Sequence, residues 1–173
     1  LTQNLGLKAP AIADWKDWDF DPDFFVKDSD GNVMFNAVDG RYRFTADFVN
    51  AYIRVEPVDA DDKNLTLQDD GTGAVWMIGS QFGKPTIGPG WNTTDGAYAF
   101  AQVSPKVYQM SLNAGGQLGN GFSLKLFHQK GWGGEYLQSN YASFDGIGVF
   151  KMTESGNIEL ADGGSLADGK AYR

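Results

Sequence analysis

The sequence predicts an all-β protein, and three observations lead to that prediction. Short apolar runs alternate with polar residues in the period of two that marks a half-buried strand. Clusters of Asp, Asn and Gly recur between these runs, as they do at the turns of β-proteins. No segment of ten or more residues has a helical period, so we expect little helix.

The first four predicted strands lie between residues 24 and 56. Residues 24–35 (FFVKDSDGNVMF) predict two short strands around a tight turn, because Asp30-Gly31 accepts the positive φ angles that such turns need. Residues 41–48 (RYRFTADF) place alternate apolar side chains on one face, and residues 51–56 (AYIRVE) repeat the pattern. We therefore expect a hairpin over residues 41–56.

The charge distribution predicts a division into modules. Residues 1–73 hold 15 acidic and 7 basic residues, whereas residues 74–173 hold 7 of each. We interpret residues 1–57 as a small β-module, the polar residues 58–73 as an acidic connector and residues 74–173 as a second β-module. Strands are predicted in the second module at residues 75–78, 97–101, 106–112, 122–128, 147–152 and 157–160.

An internal echo supports the tandem arrangement. Residues 39–43 (DGRYR) resemble residues 168–173 (DGKAYR), and each copy follows a turn. If the first copy begins the closing hairpin of its module, the second is expected to begin the closing hairpin of the next, with the chain stopping inside it. The alternative is coincidence in a chain rich in Gly and Asp.

Composition excludes several classes of function. A net charge of -8 without a basic stripe argues against nucleic acid as a partner. With no Cys and one His, His128, the chain has little material for a zinc site or a Ser-His-Asp triad. Asp28, Asp30 and Asn32 have the spacing of a calcium loop, but Val33 stands where that loop requires Gly. We expect no cofactor and no metal site.

The candidate ligand-binding residues are aromatic side chains in glycine-rich loops. Residues 129–137 (QKGWGGEYL) follow the strand predicted at 122–128 and carry Trp132 and Tyr136, while residues 88–92 (GPGWN) carry Trp91. Flat rings on loops can stack on the apolar faces of sugars, and the polar neighbours Lys84, Lys130 and Glu135 could bind hydroxyls. The alternative is that these aromatic residues belong to the core.

Two further groups leave alternatives open. Trp15 and Trp18 form an acidic aromatic cluster that either caps the first module or binds a ligand. Glu135 could act with Asp145 or Glu154 as a glycosidase pair, but the separation of the carboxylates, which defines such a mechanism, does not follow from the sequence.

Several motifs carry a resemblance to a known family. The segments VWMIGSQFGKP, FSLKLFHQKGWGGEY and DGKAYR within residues 74–173, and residues 22–57 before them, resemble SusE/SusF-like outer-membrane glycan-binding lipoproteins of Bacteroidetes. KGWGGEY is the most specific of these pieces. The resemblance implies an immunoglobulin-like β-sandwich module preceded by a small β-module.

The resemblance also implies a function. Such proteins hold polysaccharide or oligosaccharide at the cell surface without cleaving it, together with other proteins of an outer-membrane glycan-uptake complex. They are tethered through a lipidated cysteine, which would lie upstream of this sequence. The implied binding residues are Trp91, Trp132, Tyr136, Lys84 and Lys130. A structural spacer or partner-docking domain, and a glycoside hydrolase or its accessory domain, are the alternative functions.

Overall fold

The computed structural model describes residues 18–173, which form an all-β, sandwich-like fold with several sheets. A single turn of 3-10 helix, Gln138–Asn140, interrupts the strands within this part of the chain. The strands of the amino-terminal part are β1 (Asp19–Phe20), β2 (Phe25–Lys27), β3 (Val33–Phe35), β4 (Tyr42–Asp47) and β5 (Tyr52–Pro57).

The remaining nine described strands follow residue 75. They are β6 (Trp76–Phe82), β7 (Tyr98–Ala99), β8 (Ala101–Ser104), β9 (Val107–Gln109), β10 (Leu112–Asn113), β11 (Leu118–Phe127), β12 (Phe150–Met152), β13 (Ile158–Leu160) and β14 (Ala171–Tyr172).

A five-stranded antiparallel sheet of order β12-β13-β11-β6-β7 lies at the centre. Its longest pairing joins β6 to β11, with Trp76 opposite Phe127 and Met77 opposite Leu126. Because successive residues of a strand point to opposite faces, β6 sends Trp76 and Ile78 to one face and Met77 to the other. Both faces are therefore covered by buried side chains.

Two hydrophobic core clusters lie on these two faces. The first core cluster contains Trp76, Ile78 and Phe127 together with Phe24 and Val55 of the amino-terminal part. The second core cluster contains buried side chains from the central sheet and from the segments around β10, namely Met77, Phe82, Tyr98, Met110, Leu112, Leu118, Phe122 and Leu124.

The smaller sheets surround this centre. β4 and β5 form an antiparallel hairpin, and β1 pairs in parallel with β5. β2 pairs with β3, β8 with β9, and β10 with β14, each antiparallel. The hairpins predicted at residues 24–35 and 41–56 are thus confirmed. The turn of the first is closed by Asp28, whose Oδ1 accepts hydrogen bonds from the backbone N–H groups of Asp30 and Asn32.

Several details differ from the expectations. The strand predicted at residues 106–112 is divided into β9 and β10, and the strand predicted at 97–101 is divided between β7 and β8. The apolar face of β4 is only partly covered, since Phe44 is 44% exposed and Phe48, just beyond the strand, is 66% exposed. The second copy of the echo begins β14, which pairs with β10 rather than with a following strand. Burial of Tyr172 against Phe150, with ring centroids 5.3 Å apart, favours that pairing.

The division into a module, a connector and a second module stays a prediction. The structure shows that residues on both sides of the predicted boundary share the first core cluster. The connector residue Leu65 packs against that cluster, and its carbonyl oxygen accepts a hydrogen bond of 2.9 Å from Trp76 Nε1. No helix in residues 18–173 is long and apolar enough to cross a membrane.

Candidate functional site

The segment after β11 forms a closed loop with Trp132 near its tip. Hydrogen bonds from the backbone N–H of His128 to the carbonyl of Gly134 (2.8 Å) and from Tyr136 to Leu126 (2.9 Å) hold its base. Gly133 has a φ of +83°, which glycine adopts without steric cost. Trp132 is 53% exposed. The loop therefore presents an indole ring to solvent from a fixed base.

Trp91 lies beside Trp132. The two ring centroids are 6.4 Å apart and the ring planes differ by 27°. Trp91 is half-buried against the first core cluster, and its backbone N–H donates to the carbonyl of Gly79. Trp132 in turn meets Phe127 edge to face at 5.8 Å. We call Trp91 and Trp132 the Trp pair; it rests on the core and has one exposed member.

A buried carboxylate lies at the base of both loops. Glu56 on β5 accepts a 2.6 Å hydrogen bond from Lys130 Nζ and pairs with Arg43 at 3.1 Å and with Arg54 at 3.4 Å. Burial raises the pKa of Glu56, but the hydrogen bond from Lys130 and the positive charges of Arg54 and Lys130 outweigh burial. The net pKa therefore lies below its usual value, and Glu56 is ionised at neutral pH.

Glu56 links the two loops that carry the Trp pair. Lys130 belongs to the loop of Trp132, so its ion pair fixes that loop to β5. Arg54 donates hydrogen bonds to the carbonyls of Asp95 (2.9 Å) and Ala97 in the segment that follows Trp91. One carboxylate on the amino-terminal hairpin thus holds both halves of the site.

The prediction for Lys84 needs correction. Its side chain is buried, and Nζ contacts Asp21 at 2.7 Å and Asp23 at 3.2 Å. Asp23 also accepts hydrogen bonds from Gln109 Nε2 (2.7 Å) and from Ser111 Oγ (2.8 Å). The Lys84 side chain is 2% exposed, and its ammonium group is already paired with two carboxylates, so we remove Lys84 from the ligand-binding set.

The two carboxylates that enclose Lys84 have opposite pKa shifts. Burial raises the pKa of Asp21, and the charge of Lys84 only partly offsets that rise. Burial also acts to raise the pKa of Asp23, but Lys84, Gln109 and Ser111 together lower it below its usual value. The cluster ties the chain around β1 and β2 to the segments after β6 and β9.

Tyr136 and Glu135 occupy a different part of the loop from Trp132. The ring of Tyr136 meets the rings of His128 at 6.4 Å and Tyr141 at 6.1 Å. Glu135 pairs with Phe127 through the backbone, and its side chain is exposed. The structure therefore groups Tyr136 with His128 and Tyr141, while the Trp pair stands apart from that group.

A cleft of about 500 Å³ borders the segment that leads to Trp91. It lies between the β4–β5 hairpin and residues 84–95. Its polar lining includes Thr45, Asp47, Asn50, Arg54, Thr86 and Asp95. Such a lining offers several hydrogen-bonding groups near the Trp-bearing loop.

The sequence also predicted an aromatic cluster of Trp15 and Trp18 near the start of the chain. Trp18 is buried in the first core cluster, which fits the structural interpretation of the Trp15 and Trp18 cluster. Trp15 lies outside the described residues. Among residues 18–173, no group of three or more acidic, His or Cys side chains is arranged to hold a metal ion.

Sequence reasoning missed Glu56, Arg54 and the two aspartates around Lys84. Glu56 and Arg54 looked like the solvent face of an alternating strand, because period two alone does not show that β5 is buried on both faces. The sequence does carry a signal for this cluster. Arg54 and Glu56 are charged residues at alternate positions of β5, and the hairpin places Glu56 opposite Arg43.

A comparison with known protein families finds a match for the carboxy-terminal part of the chain. Residues 70–173, more than half of the sequence, match the family described as a domain of unknown function, DUF5121. The chain belongs to the DUF5121 family. The matched DUF5121 region includes the Trp pair and Lys130 but not Glu56, Arg54 or Arg43. No curated protein and no solved structure matches the chain.

Proposed function

We propose that this protein binds polysaccharide or oligosaccharide without cleaving it, as part of a glycan-uptake system at the bacterial cell surface. The observation that carries the proposal is the Trp pair: two near-parallel indoles on glycine-rich loops, one of them 53% exposed. An exposed indole supported by buried aromatic side chains costs little conformational entropy when a ligand binds.

The chemistry of sugars suits such a surface. A pyranose ring has an apolar C–H face that can lie on an indole, and each such contact contributes about 1–3 kcal/mol before the cost of ordering the ligand. Lys130 and Glu135 are the polar residues proposed to bind hydroxyl groups. Unlike Lys84, the Lys130 side chain remains 19% exposed beside its ion pair with Glu56, and the Glu135 side chain is exposed. Tyr136, grouped with Tyr141, is proposed to contact the ligand at the far side of the loop.

The proposed location and partners follow from the resemblance to SusE/SusF-like lipoproteins. We propose that a lipid anchor upstream of this sequence holds the protein at the outer membrane. Other proteins of a glycan-uptake complex are the proposed partners. Because one shallow aromatic surface gives modest affinity, several modules bound to one chain of polysaccharide would supply avidity.

A binding experiment with a matched control tests the proposal. Isothermal titration calorimetry against a panel of neutral polysaccharides compares the wild type with Trp132→Ala and with Phe48→Ala, which removes another exposed aromatic ring. We expect Trp132→Ala to weaken binding at least tenfold and Phe48→Ala to leave it unchanged. Equal binding by the wild type and Trp132→Ala would rule out the Trp pair as the site.

A spacer or partner-docking domain is the second candidate function, favoured by the half-burial of Trp91 against the first core cluster. In that role Trp91 and Trp132 fix two loops to the core and bind nothing. Absence of binding to every glycan by a well-folded wild type would support this candidate.

A further inference from the structure

We propose that the second core cluster contains a binding site for a small apolar molecule of two fused rings. The site is an apolar cavity of about 280 Å³ beside the central sheet. Its walls come from β6, β11, β12 and β13, from the residues around β10, and from the segment that follows the 3-10 turn. Representative lining residues are Met77, Met110, Phe122, Leu124, Tyr141 and Phe144.

The size of the cavity sets the size of the molecule. Protein cores are packed to the density of organic crystals and leave few voids larger than a water molecule. An apolar cavity of about 150 Å³ accommodates one benzene ring. The volume here, about 280 Å³, is nearly twice as large and matches two fused rings.

Tyr141 contributes to the cavity wall, but its hydroxyl oxygen does not face the cavity. That oxygen is closed to a water-sized molecule and has no hydrogen-bond partner among the described residues. Recognition in this site is therefore by apolar contact and by size.

The cavity is accessible at one end. Phe144 and Asp145 belong to its lining and are exposed, so it reaches the surface beside them. Arg173 also lines this region, where its Nε donates a 3.0 Å hydrogen bond to Ser111 Oγ. Asp145 and Arg173 therefore add charged groups to a lining that is otherwise mostly apolar, which is the usual character of a small-ligand site.

This site is separate from the Trp pair. The Trp pair rests on the first core cluster, whereas the cavity is lined by the second core cluster on the opposite face of the central sheet. The inference therefore stands whether or not the protein binds glycans.

Equilibrium binding of naphthalene, a molecule of two fused rings, tests the proposal. It is measured with the wild type and with Trp132→Ala. We expect naphthalene to bind the wild type saturably at one site, and Trp132→Ala should leave that affinity unchanged.

A cavity-filling variant provides the second test. Met110→Phe adds volume inside the cavity and is expected to weaken naphthalene binding at least tenfold, with folding checked by thermal denaturation. The proposal fails if naphthalene does not bind the wild type up to its solubility limit. It also fails if Trp132→Ala abolishes binding or if Met110→Phe binds naphthalene as tightly as the wild type does.

Discussion

Lys84 was predicted to bind a ligand, but it forms a buried ion-pair cluster instead. Its side chain is 2% exposed and lies between two carboxylates that are themselves buried. Charges removed from water are tolerated when they are paired and hydrogen-bonded, and Asp23 has four such contacts. Lys84 therefore stabilises the packing of the amino-terminal segment against the central sheet.

Replacing Lys84 with Met is expected to lower the free energy of unfolding by about 3–5 kcal/mol, because two buried carboxylates lose their counter-charge. Urea denaturation measures the change, with Lys106→Met as the control at an exposed lysine. The double variant Asp21→Asn with Lys84→Met should recover part of the loss. A Lys84→Met protein as stable as the wild type would contradict this account of the cluster.

Tyr141 offers a second prediction at the scale of a single residue. Tyr141→Phe removes a buried hydroxyl without a protein partner among residues 18–173, so stability should rise by up to about 1 kcal/mol. Tyr172→Phe is the matched control, since the Tyr172 hydroxyl accepts a 2.9 Å hydrogen bond from the backbone N–H of Ala167. Removing the Tyr172 hydroxyl should lower the free energy of unfolding by about 1 kcal/mol. Thermal and urea denaturation of both variants give the comparison.

At the scale of elements, β5 is the strand that connects the two halves of the described chain. Its alternating pattern predicted a strand with one solvent face, but Tyr52, Val55 and Glu56 are all buried. One face packs in the first core cluster, and the other holds the ion pairs to Lys130 and Arg54. Period two identifies a strand, while the number of covered faces depends on what the rest of the chain places beside it.

Glu56→Gln tests the link from β5 to the two Trp-bearing loops. The amide cannot balance three positive charges, so we expect a loss of about 1–3 kcal/mol in unfolding free energy. Amide hydrogen exchange should accelerate at His128, whose N–H closes the loop of Trp132. Glu159→Gln, which affects one 3.1 Å contact with Ser123, is the control. Unchanged exchange at His128 would show that the loop does not depend on Glu56.

For the whole molecule, the two core clusters on opposite faces of one sheet imply that the amino-terminal part and the DUF5121 region stabilise each other. The polar contacts between them include the ion pairs of Glu56 with Lys130 and of Lys84 with Asp21 and Asp23. The carboxylates of these contacts must be ionised to hold their partners. The free energy of unfolding of the whole protein should therefore decrease as the pH becomes acidic.

Whether each carboxylate stabilises or destabilises the protein at acid pH depends on whether its pKa is lowered or raised in the folded state. The pKa values of Asp23 and Glu56 lie below their usual 3.8 and 4.5, so their stabilisation is present above those values and is lost as pH falls through the lowered ones. The raised pKa of Asp21 opposes part of the loss. We expect Tm to fall steeply below about pH 4. Thermal denaturation from pH 7 to 3 measures this, and Glu56→Gln should show a shallower decline than the wild type.

The sequence by itself determined the all-β class, the two amino-terminal hairpins and the aromatic loop after β11. These features depend on local patterns: alternation along a strand, turn residues, and a Trp among glycines. The tertiary structure decided which aromatic rings stand together and which charges are buried. Trp132 lies beside Trp91 rather than with Tyr136, and Lys84 is enclosed while Lys130 reaches Glu56. The physical reason is that burial and pairing depend on contacts between segments far apart in the chain, which no local periodicity encodes.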